Sequence, residues 1–211
     1  MGLLQKEKNR NAAKARNSFV TRKVEKKLTH LTDIFKSNAG AYYKNIETGV
    51  LSRQLNLQGF KYLDNLKLVY NWENRFFSVN YNLQLIGEVL TNEKFEEVGD
   101  CHFEVKFKTR GSKWECKEWG NSDLAKRDEY IKRLENSLIM NRIRDLDIVD
   151  LEIFHKEGEN SFQISCESMI GSATWIFIPP VTNLITPRPD ECIKFYELFE
   201  LLGDTMVNNK I

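Results

Sequence analysis

Proline is almost missing from this 211-residue chain. There are four, and all lie between residues 179 and 189. Before residue 179, turns must come from glycine or short polar residues rather than from a fixed φ. The eleven glycines are scattered, with no GxxxxGKS/T or GxGxxG run, so the usual phosphate-cradling loops are excluded. No GxSxG elbow of a serine hydrolase is present. The histidines, His30, His102 and His155, stand far apart, without an HExxH pair. Cys101 and His102 are adjacent, which on a strand sends their side chains to opposite faces. No metal site and no cofactor is expected.

The four cysteines (Cys101, Cys116, Cys166, Cys192) form no CxxC pair. Three of them fall on apolar-facing strand positions, which reads as buried reduced thiols. No apolar run approaches the roughly 18 residues that span a bilayer. The N-terminal residues are charged rather than apolar, and Lys6 stands where a myristoylation motif wants Ser or Thr. A cytoplasmic protein is the expectation. Abundant Asn, Lys and Ile with little Ala or Pro lean toward an AT-rich genome, that of a low-GC bacterium or its phage.

Charge is present but unevenly placed. Residues 1–36 hold ten Lys or Arg against three acids, and the remainder 21 against 27, so a near-neutral chain is a basic segment joined to an acidic body. Residues 1–17 read as a basic arm, and 18–211 as a single domain. From Ser18 the spacing of Val20, Val24, Leu28, Leu31, Ile34 and Phe35 predicts a helix, stopped near Gly40. Residues 41–65 show no clear period.

After residue 65 the period becomes two. Alternation predicts strands at 66–72 and 77–85, with a turn at Glu73-Asn74, and at 101–107 and 113–117, with a turn at Arg110-Gly111-Ser112. These four read as an antiparallel meander. Ser122 is placed to cap a helix running to about Ile143, with Leu124, Ile131, Leu134 and Leu138 inward. Strands follow at 149–153 and 162–166. Ile170-Gly171 reads as a turn into Ala173–Ile178, which is apolar on both faces apart from Thr174 and ends at Pro179-Pro180. A connector then leads to a terminal helix from Pro189, with Cys192, Phe195, Tyr196, Phe199, Leu202 and Met206 inward.

The fold class is therefore α+β: a mainly antiparallel sheet of about seven strands with helices packed on it, in the order α-ββββ-α-βββ-α. Two layouts fit that order. One is secretion-chaperone-like. The other is a pleckstrin-homology-like barrel, which must absorb the middle helix.

Three sets of residues could carry function. Asp100, Glu115 and Lys117 have the D…ExK pattern of metal-dependent nucleases, where two carboxylates hold the metal and the lysine steadies water or phosphate; Glu104-Val105-Lys106 repeats the spacing. Lys6, Lys8, Arg10, Lys14, Arg16, Arg22 and Lys23, within residues 1–27, could neutralise phosphates of a nucleic acid or meet another anionic partner. Trp119, Asn80 and Asn82 are candidates for contact with a protein partner. The leading expectation is a non-enzymatic binding protein, an adaptor, chaperone or inhibitor. A nucleic-acid binder is the alternative, and the nuclease stands behind it.

Overall fold

The computed structural model describes residues 19–49, 52–75, 78–90, 103–120, 124–155, 161–176 and 181–207. The order is α1 (Phe19–Ala39), a 3-10 turn (Gly40–Tyr42), β1 (Tyr43–Gly49), β2 (Ser52–Leu57), β3 (Asn65–Arg75), β4 (Ser78–Leu90), β5 (Phe103–Lys108) and β6 (Lys113–Trp119). There follow α2 (Leu124–Leu134), α3 (Ser137–Asp145), β7 (Ile148–His155), β8 (Ser161–Ile176), β9 (Val181–Leu184) and α4 (Pro189–Val207). The class is the expected one, α+β with an antiparallel sheet. Among the described residues the sheet has nine strands rather than about seven, and there are four helices.

All nine strands belong to one sheet, in the order β1-β2-β3-β4-β8-β7-β5-β6, with β9 added beside β8. Among the described residues β1 and β6 are its margins and do not pair with each other. The expected four-strand meander is really two hairpins, β3-β4 and β5-β6, held apart. Between them run β8 and β7, because β4 takes β8 as its second neighbour. The first turn also falls later than Glu73-Asn74: the β3-β4 ladder continues to Arg75 opposite Ser78.

Period-two burial explains the layering. Leu55, Leu57, Leu66, Leu68, Leu83 and Leu85 are fully buried, as are Val105, Leu151, Ile153, Ile164 and Cys166 further across the sheet. These join one core with the inner residues of the helices, including Leu28, Leu31 and Phe35 of α1 and Phe195 and Phe199 of α4. Each large apolar side chain so buried contributes about 1.5–3 kcal/mol, an upper estimate because the unfolded chain hides some of the same surface. The alternate positions on β2 to β5, β7 and the first half of β8 are half-exposed wherever their side chains are described. The molecule is thus two layers, with the helices on one face of the sheet and a polar face opposite.

β8 is where the reading of the sequence and the structure differ most. Ile170-Gly171 is a bulge, not a turn. Leu83 pairs with Ser168 and Tyr81 with Ala173, so the chain loops out between them and resumes in the same direction. Gly171 makes this possible with φ +83. The Ser172 hydroxyl accepts from the Leu83 amide at 3.2 Å and donates to the Ser168 carbonyl at 2.8 Å, so it satisfies groups the interrupted ladder releases. Beyond the bulge β9 replaces β7 as neighbour, inside the stretch expected to be only a connector. Of the described residues in the expected two-sided run, only Ala173 is buried; Thr174, Trp175 and Ile176 are half-exposed, flanked on one side by the four-residue β9.

The middle helix is also divided. Asn136 interrupts it, and its side chain accepts from the Leu138 amide at 2.8 Å as the cap of α3. That break shifts the helical phase. Leu134 is fully buried, whereas Leu138, expected inward, is 48% exposed, and Leu124 is 56% exposed.

Candidate functional site

The polar face of the sheet carries four of the residues singled out from the sequence, Glu115, Lys117, Asn80 and Asn82. Glu115 and Lys117 share a face of β6, but the structure gives them different partners. Glu115 pairs with Lys113 at 2.9 Å and lies 3.7 Å from Lys108. Lys117 pairs with Glu104 and, at 3.2 Å, with Glu152. Lys106 completes the row, reaching Asp150 at 2.7 Å and also Glu152. The row crosses three neighbouring strands, β6, β5 and β7. Asp100 lies outside the described residues. Among the described residues no three His, Cys, Asp or Glu side chains come together to hold a metal ion.

The charges on this face adjust to one another. The Lys113 ammonium holds the Glu115 carboxyl below its usual pKa. Hydrogen bonding from Lys106 lowers Glu152, partial burial opposes this, and Lys117 adds to the lowering. Burial works against the Lys106 ammonium, yet its bonds to Asp150 and Glu152 outweigh it and raise its pKa. Glu104, Asp150 and Glu152 thus answer lysines across the ladder and Glu115 chiefly a lysine of its own strand, an arrangement that orders a strand face.

Asn80 and Asn82 are half-exposed on β4. Asn80 sits between Glu73 and Thr174, and Asn82 opposite Asn71 at the level of the β8 bulge. Trp119 ends β6, and its side chain lies outside what the structure describes. Of the basic candidates, Arg22 and Lys23 are exposed on α1, while Lys6, Lys8, Arg10, Lys14 and Arg16 lie outside the described residues. Cys166 and Cys192 are buried and Cys116 is half-buried, all three as free thiols; Cys101 lies outside the described residues. Burial pushes the Cys192 thiol up to about 12, so these are poor nucleophiles at neutral pH.

A different surface lies on the helical layer. α4 runs between α1 and α3. Its outer side, with the C-terminal end of α1 on one flank and α3 on the other, forms a trough of about 500 Å³. Ile193 and Leu201 on α4 supply its floor, with Glu197 between them at helical spacing. Leu138 and Arg142, four apart on α3, make one wall, and Asn38 and Tyr42 the other. Ile193 is 47% exposed, and Leu138 close to that. Arg142 pairs with Glu197 at 2.8 Å, while its buried Nε has no hydrogen-bond partner.

The trough is held rigidly from beneath. The Tyr196 hydroxyl donates to the Phe35 carbonyl, and the Glu200 carboxylate accepts from the Lys61 and Tyr62 amides at 2.7 and 3.1 Å. Tyr42 stacks on Phe60 with ring centroids 4.2 Å apart. This site was not singled out from the sequence. The signal available was Ile193 and Leu201, two aliphatics eight apart on the otherwise charged side of the terminal helix.

No described helix is long and apolar enough to cross a membrane. No curated protein and no solved structure matches the chain. A family model does match, over residues 38–206, which takes in the end of α1, the whole sheet and nearly all of α4. The chain belongs to that family, described as protein of unknown function (DUF3156).

Proposed function

We propose that this protein is a non-enzymatic binding protein that engages another protein in the cytoplasm, as an adaptor, chaperone or inhibitor does. The observation that carries the reading is the trough over α4. Leu138 and Ile193 remain about half exposed and face one concavity, over a frame whose inner residues Tyr196, Phe195 and Phe199 are deeply packed. Apolar surface gathered in a preformed concavity with a few polar groups at its rim is what a binding site needs. The residues with catalytic patterning, Glu115 and Lys117, are each engaged with separate neighbours on the opposite side of the sheet.

The test is a photo-crosslinking residue at position 193 in the full chain, applied to extract of the native host. A discrete crosslinked protein is expected, and it should disappear when Leu138→Asp is added. Met169→Asp, at an exposed position in the β8 bulge, should leave it unchanged. Crosslinking indifferent to Leu138→Asp would reject the trough. Turnover of a substrate by the purified protein, with nothing captured, would reject the non-enzymatic reading.

A second reading rests on α1. Arg22, Lys23 and Lys26 are exposed there and continue the basic run of residues 1–17. Such a stripe suits the phosphates of a nucleic acid, with little sequence preference. Affinity for duplex or single-stranded DNA should then fall steeply with salt and weaken on deletion of residues 1–17. Salt-insensitive binding, or none, rejects it.

A further inference from the structure

The outer stripe of α4 has a pattern of its own. Asp190, Ile193, Glu197, Leu201 and Asp204 follow one another at spacings of three and four, so acidic and aliphatic side chains alternate along one line. Asp190 and Glu197 keep about half of their side-chain surface in water. The trough lies along this line, and its lining carries Glu197 and Glu200 against the single guanidinium of Arg142. Lys194 divides between Asp145 at 3.1 Å and Asp190 at 3.7 Å, and Arg188 between Glu191 at 2.9 Å and Asp190 at 3.6 Å, so these two cations are shared among three carboxylates.

We infer that the trough receives one amphipathic helix with basic flanks, supplied by a partner protein. The inference rests on the protein-binding reading above and names the class of partner. Three features select that occupant. The trough is walled by helix ends and floored by a helix, and a helix is the element whose ridges fit between such walls. Its two aliphatic floor residues, Ile193 and Leu201, stand about two helical turns apart, a spacing that apolar anchors two turns apart on an incoming helix can match. The acids on that line then meet lysines or arginines flanking the anchors.

The probes are three synthetic peptides of about four helical turns. One is an amphipathic Leu/Lys helix, one has the same composition scrambled so that no apolar face forms, and one is an amphipathic Leu/Glu helix. Fluorescence anisotropy with the full chain reads binding. The Leu/Lys helix is expected to bind in the micromolar range, and about tenfold or more weaker to Ile193→Asp and to Leu138→Asp, as for anchor positions of an interface. Binding to Met169→Asp should match the unaltered protein, and the scrambled peptide should bind at least about tenfold more weakly.

Equal binding of the scrambled or the Leu/Glu peptide overturns the inference. So does failure of all three peptides. If the crosslink from position 193 persists while all three peptides fail, the inference falls and the protein-binding reading stands; loss of both sinks both. Two other occupants would show themselves. If the protein sediments as a dimer and Ile193→Asp makes it a monomer, a second copy fills the trough. If deleting residues 1–18 raises peptide affinity, the chain's own N-terminal segment fills it. Either result overturns the assignment to a partner helix.

Discussion

The hydroxyl of Tyr196 donates a hydrogen bond to the main-chain carbonyl oxygen of Phe35 at 2.9 Å, linking α4 to α1 across 161 residues of sequence. Both ends are buried, and the carbonyl belongs to a residue with no exposed surface. Tyr196→Phe removes the donor and keeps the ring. The expected loss is about 0.5–1.5 kcal/mol, the net value of one such bond. Urea denaturation of the two proteins measures it, and an unchanged midpoint would mean that packing alone joins the helices.

Two glycines of the core should respond differently to alanine. A Cβ at Gly87 on β4 would stand 2.7 Å from Cδ1 of Phe199, a ring with no exposed surface that has little room to yield. Overpacking of this kind costs about 1–3 kcal/mol. At Gly171 the new methyl would come 2.9 Å from Leu83 Cδ2, and the backbone is also left-handed at φ +83. That conformation adds about 1–2 kcal/mol for a non-glycine residue. Gly171→Ala should therefore melt lower than Gly87→Ala, and the reverse order by calorimetry would contradict the bulge geometry.

The division of the middle helix gives a sharper contrast. Leu134→Ala empties a fully buried position and should cost about 2–5 kcal/mol. Leu138→Ala, four residues on, should be close to neutral, because that side chain is about half exposed. An unbroken helix would bury both positions, so equal losses in chemical denaturation would argue against the Asn136 cap.

Stability should fall at both ends of the pH scale. The Glu152 carboxyl is lowered from 4.5, so its contribution is present above that value and disappears as pH drops through its folded pKa. Thermal melts between about pH 3 and 6 should show the loss, with a shallower slope for Glu152→Gln. Cys192 behaves in the opposite sense. Its folded pKa is pushed from 9.0 up to about 12, so the contribution is complete below 9.0 and is lost as pH climbs toward 12. Burial likewise raises Tyr70, Tyr130 and Tyr196, which steepens the alkaline fall. Cys192→Ala should flatten part of it; an unaltered alkaline slope would remove Cys192 from the account.

The sequence showed clearly those elements that have a wet side and a dry side. The alternation from Leu66 to Tyr70 and from Tyr81 to Leu85, and the inner stripe of α4, could be read directly because each is half buried. β1 was illegible because no residue on this marginal strand is fully buried, leaving no apolar period to see. β2 was masked by Arg53, which is buried at an inward position and satisfies its guanidinium on the carbonyls of Gly49 and Ser52. β9 is four residues long, too short to show a period. The insertion of β8 and β7 between the two hairpins could not be read locally, because the choice of β4's second neighbour depends on residues about eighty positions away. The candidate surfaces followed the same divide. The shared face of Glu115 and Lys117 was legible from strand parity. The trough was not, since it joins residues 38, 42, 138 and 193, which only tertiary packing brings together.

The pairing of β4 with β8 also sets a timetable for synthesis. Leu90 waits for Ser161 and Ser78 for Ile176, while β5, β6, α2, α3 and β7 are made in between. At about 5–20 residues per second that is an interval on the order of several seconds, during which the second edge of β4 has no partner from its own chain. The completed sheet hides that edge in its interior; the growing chain presents it as an open template for strand addition. The most hazardous form of this protein is therefore one halted before residue 161, with most of its strands made and the one that joins its two hairpins still missing.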